Sequence, residues 1–206
     1  MLFVMADLQD AHNRQVHEQW KLQGYEYYRA IWIECAELMD HFGWKWWKHQ
    51  TPDLEQTKLE IIDIWHFGLS DLMRAGEISG SYISEDVMHK IEAGISISGG
   101  DLRSAVEKHA VTTLANQAFD TDTFFAMMGA LPLSFEALYS GYIGKNVLNK
   151  FRQHHGYKTG EYVKVWGGAE DNEHLVEISA SLDPQAEEYS ESLYRALEQR
   201  YRQLTS

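Results

Sequence analysis

The residues of this sequence best placed to do chemistry are two acidic doublets, Glu34-Cys-Ala-Glu37 and Glu60-Ile-Ile-Asp63. Acids three residues apart share one face of an α-helix, so each doublet presents two carboxylates in one direction. Both sit among apolar neighbours: Ile31, Ile33, Leu38 and Met39 around the first, Leu59, Ile61, Ile62, Ile64 and Trp65 around the second. A carboxylate on a core-facing stripe is costly unless something compensates it. Four together repel and raise one another's pKa. Divalent cations resolve both problems. Oxygen-only ligation favours a hard ion, Mg²⁺ or Mn²⁺. Mg²⁺ keeps several waters and accepts phosphate oxygens, so the set suits a metal site completed by a polyphosphate. The competing reading places the same acids on solvated helix faces.

Three further features carry chemical meaning. Asp63-Ile-Trp-His66 is a carboxylate–histidine pair at i, i+3, the spacing used in carboxylate di-iron bundles. Read otherwise, His66 is a hydrogen-bonded core side chain or a substrate contact. Trp44, Trp46 and Trp47 form an aromatic connector that either fills a core or offers a flat wall for a base. Between Ser140 and Lys164 stand Lys145, Lys150, Arg152, Lys158 and Lys164 against one acid, Glu161. A basic island in an acidic chain suits a small anion such as a polyphosphate; the alternative is a solvated basic stretch.

Helices must position these residues. Phe3 to Leu22 reads as a first helix ended by Gly24, and Tyr25 to Phe42 as a second. Tyr28, Ile31, Cys35, Leu38 and Phe42 recur there at helical spacing. Thr51-Pro52-Asp53 signals the start of a third, Leu54 to Met73, with Leu59, Ile62, Trp65, His66, Leu69 and Leu72 inward. Ala75 to Ser84 and Gly94 to Asp101 read as loops around a short helix, Glu85 to Ala93. Leu102 to Phe119, Asp122 to Ala130 and Phe135 to Phe151 read as helices. Tyr157 to Trp166 alternates and predicts a loop or a small β excursion. Asp171 to Ala180 and Pro184 to Leu204 close the chain as helices.

Composition bounds the reading. The 206 residues, 44% hydrophobic and 24% charged with only 3 prolines, predict one folded α-rich domain, 1–206. A lone cysteine, Cys35, excludes an intramolecular disulfide and a cysteine-based zinc site. The net charge of −13 disfavours a nucleic-acid partner. The first ten residues lack a signal-peptide pattern, and no apolar run is long enough to span a membrane, so a cytoplasmic location is expected.

The segments Glu-Cys-Ala-Glu-Leu-Met-Asp (34–40), Trp-Lys-Trp-Trp-Lys (44–48) and Glu-Ile-Ile-Asp-Ile-Trp-His-Phe (60–67) resemble the dimeric, all-α dUTPases. So does Tyr-Ile-Gly-Lys-Asn-Val-Leu-Asn-Lys-Phe-Arg-Gln-His-His-Gly-Tyr-Lys-Thr-Gly (142–160), continuing through Trp166 and Glu-Asp-Asn (170–172). The acidic doublets are shared with the wider all-α NTP pyrophosphatase superfamily, whereas the Lys-Asn-Val-Leu-Asn-x-Phe-Arg-Gln block within 142–160 is what looks like dUTPase specifically. The resemblance implies a helical bundle with a carboxylate-lined metal site between adjacent helices. It assigns Glu34, Glu37, Glu60 and Asp63 to Mg²⁺, with Mn²⁺ as a substitute. It assigns Lys145, Asn149, Arg152, Tyr157 and Lys164 to the phosphates, and Gln9 and Asn13 to the uracil edge. Trp47 and His66 become pocket residues. The reaction implied is hydrolysis of dUTP, and of dUDP, to dUMP in a homodimer, with Glu34 or Glu37 taking the proton of the attacking water. Residues 75–130 would form a mobile cap. The rivals are a pyrophosphatase for another nucleotide such as dCTP, a di-iron protein and a non-catalytic regulatory relative.

Overall fold

The structure, a computed structural model, describes residues 1–184, 186 and 188–205. It is all-α, 69% helix and 4% strand. In chain order the helices are α1 (Leu2–Val16), α2 (Tyr27–Phe42), α3 (Leu54–Ala75), α4 (Glu85–Gly94), α5 (Leu102–Asn116), α6 (Thr121–Ala130), α7 (Phe135–His154), α8 (Asp171–Ala180) and α9 (Tyr189–Thr205). Two minimal antiparallel hairpins interrupt them: β1 (Ile78–Ser79) with β2 (Tyr82–Ile83), and β3 (Val165–Trp166) with β4 (Ala169–Glu170). The chain divides into two units, Met1–Tyr139 and Ser140–Ser206.

In the first unit α3 is the central helix. Its start is fixed by Asp53, whose side chain accepts from the Gln56 N–H, and its end by Gly76 in the left-handed conformation. Between them almost every side is buried, including Leu59 to Ile62, Ile64 to His66 and Gly68 to Met73. A helix buried on nearly every side belongs at a core centre, and the polar side chains it carries there, Glu60, His66, Ser70 and Asp71, are buried with it. α2 packs along it through Ile31, Cys35 and Leu38, and α1 lies against another side through Met5 and Ala6. Trp65 stacks on Phe124 at 5.3 Å and meets Phe119 and Phe125 edge-on, which ties α3 to α6. Gly68 permits this approach, since a Cβ there would lie 2.4 Å from the Phe119 ring.

Several boundaries depart from the sequence expectations for tertiary reasons. α1 stops at Val16 rather than Leu22, because His17 is extended and a 3-10 turn at Trp20–Leu22 folds back. The Trp20 indole then donates to Asp10 at 3.0 Å. α5 stops at Asn116 rather than Phe119: Gln117 is left-handed, and the Phe119 N–H is captured by the buried Asp71 carboxylate at 2.9 Å. α7 runs on to His154, and α9 begins at Tyr189 rather than Pro184.

In the second unit α7, α8 and α9 surround an aromatic core of Phe151, Trp166, Tyr162 and Tyr201. The alternating stretch after Gly156 resolves into a 3-10 turn, Tyr157–Thr159, and the β3–β4 hairpin. Gly167 and Gly168 form its two-residue turn, both with positive φ (56° and 95°), a conformation that disfavours side chains. The hairpin delivers the chain directly into α8, whose first turn is closed by a Glu170–Glu173 capping box.

Candidate active site

Glu34 and Glu37 stand one turn apart on α2, and Glu60 faces them from α3. Ligand oxygens of these three lie within 4.8 Å of one another. Glu60 is buried, Glu34 is half-buried and Glu37 is exposed, so the group opens to solvent on one side. Burial first, then the charge of Asp63, then the hydrogen bond and charge of Glu60, and finally Glu37, push the Glu34 carboxyl up to about 9. Asp63, one turn beyond Glu60, thus acts on the trio through its charge. His41 completes the surroundings: its Nε2 lies 3.4 Å from Glu60. Sequence reading missed it, although His41 follows Glu34 by seven residues and therefore shares its helix face.

The trio fits a small divalent cation. Oxygens about 2.0–2.1 Å from Mg²⁺ stand at most about 4.2 Å apart across an octahedron. The ligand oxygens of the trio, within 4.8 Å of one another, come close to that spacing. The donor set is all oxygen, and burial together with the neighbouring carboxylates raises the Glu34 carboxyl. His66 does not join this group. Its Nδ1 lies 2.9 Å from Gln9 Oε1, toward α1.

Gln9 and Asn13 are buried, only 3% and 7% exposed, not part of an outer helix surface. Gln9 Nε2 donates to Asn13 Oδ1 at 3.1 Å, and Asn13 Nδ2 donates to Ser70 Oγ at 3.0 Å. Ser70, on α3, also donates to the His66 carbonyl at 3.0 Å. Gln9, Asn13, His66 and Ser70 therefore form one continuous buried network. Nothing in the sequence pattern singled out Ser70.

The tryptophan connector is at the surface. Trp46 is 90% exposed and Trp47 57%, and both Trp44 and Trp46 meet Trp47 edge-on. Of the two readings of these rings, core filling is excluded. The connector is pinned at its base: Gln50 Oε1 accepts from the Trp44 and Lys45 N–H groups, and Arg103 donates to the Gly43 carbonyl.

The second unit gathers most of the predicted phosphate residues. Arg152 donates from Nε and Nη2 to the fully buried Asp171, both at 2.8 Å, and from Nη1 to Asn149 at 3.1 Å. Tyr162 donates to the same Asp171 carboxylate. Burial alone would push Asp171 up, but the hydrogen bonds and charge of Arg152, helped by Tyr162, hold its carboxyl below the usual range. Lys145, 2% exposed, donates to Asn172 Oδ1 at 3.2 Å. Lys164 pairs with Glu170 at 2.8 Å, and Tyr157 is exposed on its 3-10 turn. The basic island is therefore less naked than its composition implies, because Glu170 and Asp171, just outside it, fold back onto it.

A family model described as dUTPase matches residues 1–157. The chain belongs to the all-α dUTPase family. Membership makes it a dUTP diphosphatase acting on a nucleotide substrate, and it implies a divalent metal, for which the carboxylate trio is the matching feature. No curated protein matches the chain. Among the described residues, no helix is long and apolar enough to cross a membrane.

Proposed function

We propose that this dUTPase hydrolyses dUTP, and also dUDP, at a Mg²⁺ site formed by Glu34, Glu37, Glu60 and Asp63, with Mn²⁺ able to substitute. The observation that carries this reading is the convergence of Glu34, Glu37 and Glu60 from two adjacent helices, with the Glu34 carboxyl pushed far up. Bound there, the cation would neutralise phosphate charge and acidify water. Glu34 or Glu37 takes the proton of the attacking water as the bond between the α and β phosphates breaks, giving dUMP and pyrophosphate from dUTP. His41 orients Glu60. Lys145, Asn149, Arg152, Tyr157 and Lys164 serve the phosphate tail. Gln9 and Asn13 read the uracil edge, since an amide offers both a donor and an acceptor. Trp47 and His66 line the base pocket.

The same reading makes the enzyme a cytoplasmic homodimer, with 75–130 as a mobile cap on a functional domain spanning 1–206. Exposed apolar side chains on α1 and α2, among them Phe3, Val4, Trp32 and Ile33, supply a surface for a second copy. The deciding experiment measures release of pyrophosphate and of nucleoside monophosphate across dUTP, dUDP and the four common dNTPs, with Mg²⁺, Mn²⁺ or chelator. Rapid Mg²⁺-dependent turnover of dUTP is expected, with dCTP far slower. Preference for dCTP, or full activity in chelator, would overturn the reading. Sedimentation equilibrium tests the dimer.

A further inference from the structure

We propose that Ser70, a residue that need not touch the nucleotide, fixes the donor–acceptor polarity of the base-reading amides and so determines discrimination between uracil and cytosine. The inference rests on the reading that Gln9 and Asn13 meet the base, and it starts from the direction of each hydrogen bond in their network.

A serine hydroxyl has one proton and two lone pairs. Ser70 Oγ lies 3.0 Å from the His66 carbonyl oxygen, which can only accept. The serine proton given to this carbonyl points away from Asn13. The serine therefore offers Asn13 a lone pair, and the group 3.0 Å away must be the Nδ2 donor. With Nδ2 committed, Asn13 Oδ1 faces Gln9 and accepts from Nε2. With Nε2 committed, Gln9 Oε1 faces His66, so the proton at that end resides on Nδ1. One hydroxyl thus dictates the orientation of two amides and the tautomer of an imidazole.

Ser70, Gln9, Asn13 and His66 are 1%, 3%, 7% and 8% exposed, so water does little to relieve a reversed amide. Turning over either amide alone would oppose two donors or two acceptors at low dielectric. Uracil and cytosine differ in the same sense: uracil presents an acceptor at O4 and a donor at N3, cytosine a donor at N4 and an acceptor at N3. Amides able to turn over could adapt to either base, whereas amides held in one polarity leave the wrong base with unmatched groups. A site that is polar and buried rejects such a mismatch strongly.

The test uses the full chain with Ser70→Ala and Ser70→Thr. Two quantities are read: the ratio of kcat/KM for dUTP over dCTP, and the His66 tautomer from ¹⁵N chemical shifts. Wild type and Ser70→Thr, which keeps the hydroxyl, should show the Nδ1–H tautomer and the full ratio. Ser70→Ala should show a mixture of tautomers and a ratio lowered about tenfold or more. An unchanged Nδ1–H tautomer in Ser70→Ala overturns the proposal. A redistributed tautomer with an unchanged ratio also overturns the specificity role, and places the fault in the assignment of Gln9 and Asn13 to the base. If Ser70→Ala does not fold, the nearly isosteric Ser70→Cys gives the same two readings.

Discussion

The acidic trio of the first unit and the basic cluster of the second are opposite solutions to holding charge inside a protein. Glu34, Glu37 and Glu60 converge as like charges, with the half-exposed His41 placing its Nε2 3.4 Å from Glu60. In the second unit, Arg152 has Asp171, Lys164 has Glu170, and Lys145 has the Asn172 amide. The first arrangement sets its carboxylates against one another. The second is balanced within itself, and its buried Arg152–Asp171 pair belongs to the fold. Stability and activity should therefore separate in one region and move together in the other.

The largest effect should come from Glu37→Gln, which keeps size and removes a charge. Turnover of dUTP is expected to fall by about 10²–10⁴-fold, the range for loss of a positioned acid–base group, while the metal-free protein melts no lower than wild type. Wild-type turnover would remove Glu37 from the machinery. Next, Asp171→Asn leaves Arg152 buried without its counter-charge. Breaking one side of such a pair costs about 3–5 kcal/mol. Urea unfolding should show this loss together with loss of activity; an unaltered midpoint would mean that the pair is not structural.

The pH dependence of the two regions should have opposite signs. Glu34 has a raised carboxyl, so its favourable contribution is complete below its ordinary value of 4.5 and is lost as pH rises toward about 9. Metal-free melting temperatures should decline over that window, and Glu34→Gln should flatten the decline. Asp171 is lowered, so its contribution is present above its ordinary value of 3.8 and disappears as pH falls below it. Asp171→Asn should flatten only the acid limb. Mg²⁺ with a non-hydrolysable dUTP analogue should restore the alkaline limb, adding about 2.7 kcal/mol at a hundred times Kd. No shift at saturation would count against the metal site.

The smallest effect is expected at Trp46. With 90% of its surface in water, Trp46→Ala should change stability by less than about 0.5 kcal/mol. A larger loss of melting temperature would show that the ring is covered in solution.

Much of this was legible from spacing. The two doublets could be placed on helix faces because α2 and α3 carry strong apolar periodicity, and Asp53 and Gly76 mark the ends of α3 through local chemistry. What escaped depended on distant partners. The ends of α1 and α5 are set by contacts from Trp20 to Asp10 and from Phe119 to Asp71, which no local window contains. The charge count over the basic stretch missed Glu170 and Asp171 because the β3–β4 turn brings them back from outside it. Ser70 had no signal, since a serine within a helix looks the same whether it faces water or an asparagine.

On the proposed site, α3 would also act as a ruler. Glu60 and Asp63 sit near one end of its polar stripe, and His66 and Ser70 continue it toward the other. At about 1.5 Å per residue, Glu60 and Ser70 are separated by about 15 Å along a rigid rod. If the carboxylates serve the phosphates and the buried amides serve the base, the helix measures the nucleotide from one end to the other. Deleting a single residue between Asp63 and His66 would shorten that measure by about 1.5 Å and turn one end about 100° against the other. Each half of the site could survive such a change intact and still fail to meet the same molecule.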